Sequence, residues 1–308
     1  MKYLLLLLLG GVLCKSLAAQ NSQAIDKAAK TIVKVPGYPD FFATEGDDCW
    51  VLNEGRVEKY AARNGTKIMT VPVPGACGAM AVGDGVLWVA SCGERSIYKI
   101  DSRSGKLLAK ILCGISDLQG EIMLALGDGF LWVPSDSSGI LTKIDARSNK
   151  IISTIRVSPG SHCATFANHA VWITSTPGNS VQRVDSKTNE ASAPIAVGPV
   201  PRFLAADDTG VWTLNQGDGT VTRLDPRSGK VVTTIDARVP GSGGDIAVGA
   251  GKVWVRATKG IFLQSIDIRT GKVDKVFTPL NGSGAVRVSS HHIWVSAHDV
   301  NTIWVLDL

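Results

Sequence analysis

The chain lacks helical patterning. Beyond its N-terminus, no stretch repeats apolar residues at the three- and four-residue intervals of an amphipathic helix. No segment after the first is apolar enough to cross a membrane as a helix. There is no Cys-x-x-Cys pair and no Cys/His spacing of a zinc site. Gly-x-Ser-x-Gly, His-Glu-x-x-His and P-loop patterns are also missing, which argues against several familiar hydrolase and nucleotide mechanisms. Charge of one sign does not dominate: 32 Lys and Arg face 27 Asp and Glu, a formal net of +5. A balance this mild predicts neither a nucleic-acid binder nor a membrane-surface binder. Glycine, by contrast, is plentiful at 33 residues, and short apolar runs alternate with Gly, Asp, Ser and Asn clusters. That is β-rich, turn-rich chemistry.

Residues 1–19 read as a signal peptide. Lys2 supplies the charged start, Leu4–Leu9 with Gly10–Leu13 the apolar core, and Ser16-Leu17-Ala18-Ala19 the small-residue exit. The apolar run is too short to span a bilayer, and Lys15 ends it. Leu13 stands before Cys14, where lipid attachment needs a small residue, so a lipid anchor is not expected. The mature protein is expected to be periplasmic or secreted, and monomeric. Without Lys2 and Lys15 its formal charge falls from +5 to +3. Cys49, Cys77, Cys92, Cys113 and Cys163 remain, an odd set that leaves at least one thiol outside any internal pair.

Aligned on tryptophan, the chain resolves into repeats. Trp50, Trp88, Trp132, Trp172, Trp212, Trp254 and Trp294 follow one another at intervals of 38, 44, 40, 40, 42 and 40 residues, and only Trp304 falls outside the series. Each unit holds four short strand-like runs, called a to d here. In the fullest unit these are Phe203–Ala206, Val211–Leu214, Thr220–Leu224 and Lys230–Ile235. The turn between c and d recurs as Asp101-Ser102-Arg103-Ser104-Gly105, Asp145-Ala146-Arg147-Ser148-Asn149 and Asp267-Ile268-Arg269-Thr270-Gly271. Asp bonds backbone groups two residues on, and Gly or Asn tolerates positive φ, so these are hairpin turns. Four strands in about 40 residues are the signature of a propeller blade. The prediction is an all-β fold, a seven-bladed β-propeller over residues 31–308 with four antiparallel strands per blade. Its tryptophans should pack between blades. The last unit ends after strand c, and Thr31–Val35 resembles the missing outer strand. Borrowing it closes the ring and removes two open sheet edges. Residues 20–30 are then expected to be a loose lead-in.

In such a ring the d–a and b–c connections emerge on one face, around the channel mouth. Ten residues before each tryptophan, strand a begins with Asp40, Gly78, Ile122, His162, Arg202, Gly244 and Gly284. With neighbours, Asp40, Glu121, His162, Arg202 and Asp245 converge on one mouth, and Arg287 follows further along. Such a funnel suits a small ligand, with His162 as base or donor. The alternative is that inner-strand polar groups merely pair with one another and hold channel water. His298 falls on the same face. His169, His291 and His292 fall in a–b turns on the opposite face and are expected to be solvated. That face also carries basic c–d turns, interleaved with Asp47, Asp84, Asp128 and Asp207, and reads as a solvated mixed-charge surface. Cys77 and Cys92 flank the a–b hairpin of one blade, so antiparallel pairing brings them together as an expected disulfide. Cys113 is the rival partner for Cys92, and Cys49 is expected to be buried and inert.

The Gly-x-x-Trp-Val core and the Ile-Asp-x-x-Ser-Gly-Lys turn resemble those of secreted bacterial propellers grouped with streptogramin (virginiamycin B) lyase and YVTN-repeat proteins. The resemblance covers nearly all of residues 31–308, but its motifs are scaffold motifs. It implies, for an enzyme of this kind, a carbon–oxygen lyase that opens a cyclic depsipeptide with a His at the start of strand a, a Glu three residues after the strand-b tryptophan, and Mg²⁺. His162 matches the histidine, with Glu121 or Asp136 of the adjacent blade as substitute acids. The glutamate position holds Asn53, Ser91, Ser135, Ser175, Asn215, Ala257 and Ala297. Two readings follow. One is a non-catalytic propeller that takes a small molecule, peptide or envelope protein at its mouth, through Asp40, Arg202, Asp245 and Arg287. The other is a lyase working through His162. A third makes the propeller only an assembly platform.

Overall fold

A computed structural model describes residues 22–116, 121–239, 243–258, 261–278 and 282–308. The expected signal peptide lies outside the described residues. Seven sheets surround a central channel, each with its strands in sequence order from the inside outward except where an N-terminal strand is added at the outer edge of the last two. Strand a of each blade lines the channel: Phe42–Glu45, Ala76–Gly83, Ala125–Gly127, Ala164–Ala167, Pro201–Asp207, Asp245–Gly249 and Val286–Val288. Each strand b is buried along nearly its whole length, on both faces of its sheet. All seven repeat tryptophans are buried, exposed by 2 % or less, and so is Trp304.

The c–d turns form as their sequence dictates. The Asp101 carboxylate accepts the Arg103 and Ser104 backbone N–H groups at 3.2 and 2.7 Å, and Asp145, Asp185 and Asp225 repeat the pattern. The ring closes as predicted: Thr31–Lys34 pairs antiparallel with Thr302–Asp307, placing Val33 opposite Ile303. Cys77 and Cys92 are joined as a disulfide, with Cα atoms 5.8 Å apart, and Cys49, Cys113 and Cys163 are buried free thiols.

One expectation is corrected. The segment before Thr31 is not a loose lead-in. Ser22–Ala24 adds a parallel fifth strand to the outer edge of blade 6, beside Val273–Thr278. A single helical turn, Ile25–Ala28, follows; Ile25 is buried against the core of blades 6 and 7. The indole N–H of Trp304 donates to Asp26 at 2.6 Å. The N-terminal segment thus straddles the seam between the last two blades before it closes the ring.

Candidate functional site

Strand a of each blade starts at the mouth, so residues at its beginning meet across the ring. Asp40, Phe41, Glu121, Arg202, Phe203, Gln216, Asp245 and Ser283 line one cavity of about 240 Å³ there, with Gly243, Gly244 and Gly284 in its wall. Gly244 has φ +109°, and a Cβ on it would strike the Arg256 carbonyl, so only glycine fits that wall. Two to four residues further along the same strands, a second space of about 170 Å³ is lined by Met123, Leu204, Ile246, Val248 and Arg287.

The charged groups at the mouth differ in how they are satisfied. Asp245 is almost fully buried, and its carboxylate accepts from Arg287 at 2.5 Å and from the backbone N–H groups of Ile246 and Val286 at 2.9 and 3.0 Å. Asp245 lines the first space and Arg287 the second, so this pair joins the two. Arg202 forms an ion pair with Glu121, which is half exposed at the rim. Asp40 is half-buried, and among the described residues its carboxylate accepts no hydrogen bond. Burial, with Asp245, Glu121 and Asp299 nearby, pushes its pKa up to about 7, against an opposing pull from Arg256.

Sequence reasoning passed over Arg256. Its guanidinium is fully buried, stacked 3.8 Å over the Phe262 ring, and among the described residues it donates only to carbonyls: Ser296, Phe262 and Gly282 at 3.2, 3.1 and 2.8 Å, and Ala257. Taking the guanidinium out of water lowers its pKa to about 9. A signal was present. Two residues after the tryptophan the other blades carry Leu52, Ala90, Pro134, Thr174, Leu214 and Ser296, so this is the one charge at that position.

His162 does not join the other predicted residues in the cavity lining. Its carbonyl accepts the Met123 N–H at 2.9 Å, which ties strand a of blade 4 to blade 3. His298 is buried at the mouth face, stacked on Tyr38 at 3.9 Å, and burial pulls its pKa down. On the opposite face His169 and His291 are exposed beside Asp128 and Asp47, as expected. His292 is not solvated: opening strand b of the last blade, it is buried between Asp47, Asp307 and Lys30.

The residues present do not fit a magnesium ion. The strand-b position holds amides, hydroxyls and methyls in place of glutamate, Glu121 and Asp245 face guanidiniums, and no three His, Cys, Asp or Glu side chains cluster suitably among the described residues.

Residues 53–308 match the family described as outer membrane protein assembly factor BamB. The chain belongs to this family. Among curated proteins no sequence match was found. Among solved structures, this BamB-family propeller is similar to virginiamycin B lyase from Staphylococcus aureus, at 15 % identity and a TM-score of 0.76, over 90 % of this chain and 98 % of that one. A catalytically inactive variant of that lyase with quinupristin matches at 13 % identity and TM-score 0.76, over 90 % and 98 %. BamB from Moraxella catarrhalis matches at 13 % identity and TM-score 0.62, over 89 % and 85 %. The streptogramin lyase-like fold expected from the repeat is therefore observed. At such identities the likeness is one of fold, and activity has to be argued from the site.

Proposed function

We propose that this protein is an exported binding module that engages a peptide or protein partner at the mouth of its channel, without chemistry there. The observation that carries this reading is the Asp40 carboxylate, which lines a cavity of about 240 Å³ without a protein donor among the described residues. That volume lies below the roughly 300–1,000 Å³ typical of small-molecule sites, so it suits one inserted side chain better than a cyclic depsipeptide. His162, the base a lyase would use, does not line the space, and the strand-b glutamate is replaced. The Cys77–Cys92 disulfide favours an oxidising compartment, in keeping with periplasmic or secreted placement. Among the described residues no helix is long and apolar enough to cross a membrane.

Photo-crosslinking from the mouth tests the proposal. With benzoylphenylalanine at Tyr38, the protein should capture a partner in the exporting cell that the same group at Thr188, on the opposite face, does not. Equal capture from both positions would place the contact elsewhere. Ring opening of quinupristin by the purified protein, lost on His162→Ala, would establish the lyase instead.

A further inference from the structure

Resting on the mouth as the binding site, we propose that it anchors a cationic side chain of a partner polypeptide, a lysine ammonium or an arginine guanidinium, with its head on the Asp40 carboxylate. Among the described residues, four carboxylates surround the mouth: Asp40, Glu121, Asp245 and Asp299. Three guanidiniums face them, and each is already committed. Arg287 is held by Asp245, Arg202 by Glu121, and Arg256 spends its N–H groups on carbonyls. Asp299 accepts the Ser283 N–H at 2.7 Å and lies 2.9 Å from His298 Nδ1. Among the described residues one negative charge is left in surplus, and Asp40 is the carboxylate with no protein donor there.

The Asp40 carboxylate is open to the cavity beside three other acids, and an incoming N–H cation relieves its repulsion from them. Its raised pKa is the signature of that unrelieved state. An anionic ligand has no such opening. The guanidinium nitrogens left without partners, Arg202 Nε and Arg287 Nη2, are themselves buried.

The apolar parts of the site agree with this choice. Phe41 and Phe203, with ring centroids 6.1 Å apart, line the cavity and suit the methylene stem of a long cationic side chain. Tyr38, about half exposed, lies within the field of Asp40, Asp299 and Glu121 and offers an aromatic surface beside the carboxylate. The cavity has room for one such side chain, so the partner inserts a single residue and the rest of its contact lies on the rim.

The test is a titration of the disulfide-intact mature protein, followed by NMR, with four capped pentapeptides, acetyl-Gly-Ala-X-Ala-Gly-amide, in which X is lysine, arginine, norleucine or glutamate. The lysine and arginine peptides should shift mouth resonances and bind about tenfold more tightly than norleucine. Asp40→Asn, a near-isosteric change, should abolish that preference while leaving the spectrum of the ring intact, and salt should shrink it in the parent. If all four peptides bind the mouth equally, or glutamate is preferred, the cationic anchor is wrong and the mouth remains a binding site. If no peptide perturbs the mouth at any concentration, both the anchor and the site are wrong.

Discussion

The two halves of the ring are joined by different chemistry. In blades 1, 2 and 3 a strand-c lysine lies over its own tryptophan and reaches the c–d turn of the next blade. Lys59 sits 5.5 Å from the Trp50 ring and donates to the Ser102 carbonyl at 3.3 Å. Lys99, over Trp88, donates to Ala146 at 2.7 Å, and Lys143, over Trp132, donates to Ser186 at 2.5 Å. In blade 5 the equivalent Arg223 turns back to Thr209 of its own blade, and in blades 6 and 7 Ser265 and Val305 oppose the tryptophan. There the joining cations have moved to the mouth. Arg256 of blade 6 bonds carbonyls that include Ser296 of blade 7, and Arg287 of blade 7 reaches back to Asp245. The N-terminal segment then ties the same two blades from outside. One half is fastened on the solvated face, the other at the mouth and the rim, where charge is also available for binding.

Breaking the N-terminal seam should have the largest effect. Deleting residues 22–35 removes both added strands and reopens two sheet edges, so cooperative unfolding should be lost or its midpoint fall steeply. Hydrogen exchange should show blades 6 and 7 opening first. Uniform loss of protection around the ring would erase the distinction between the halves. Next in size, Arg256→Met leaves buried carbonyls without donors and should cost about 3–5 kcal/mol in denaturant unfolding. Lys143→Met, the corresponding change in the other half, should cost about 1–3 kcal/mol and raise exchange only at the interface of blades 3 and 4.

A further effect has the opposite sign. Because the pKa of Asp40 is raised in the fold from 3.8 to about 7, the folded state holds its proton more tightly than the unfolded chain. The stability this confers is fully present below about pH 4 and is lost as pH rises through about 7. Asp40→Asn should therefore match the parent in acid and become progressively more stable than it toward neutral pH. Urea melts across that range decide it, and a difference independent of pH would contradict the assignment.

The sequence made the scaffold legible because each blade repeats the same physical demand. A tryptophan at one place in strand b counts the blades, the Asp-containing turns mark the c–d hairpins, and Thr31–Val35 fits the one missing edge. Features outside the repeat were harder to read. Ser22–Ala28 has too few residues to show a period, and its parallel pairing joins it to a blade far along the chain. Trp304, outside the tryptophan series, was the clue, since a buried indole N–H needs an acceptor and Asp26 supplies it. At the mouth, position along strand a brought Asp40, Glu121, Arg202 and Asp245 together correctly. It could not say that Asp245 would be consumed by Arg287 while Asp40 was left free, because that depends on which side chain reaches which neighbour across the channel.

The most direct measurement is a crystal structure of the mature protein soaked with acetyl-lysine amide, alongside an Asp40→Asn crystal treated identically. The account predicts the lysine side chain in the cavity against Phe41 and Phe203, its Nζ within hydrogen-bond distance of Asp40, and an empty cavity in the variant. Ligand in both crystals, or ligand only on the opposite face, would contradict it.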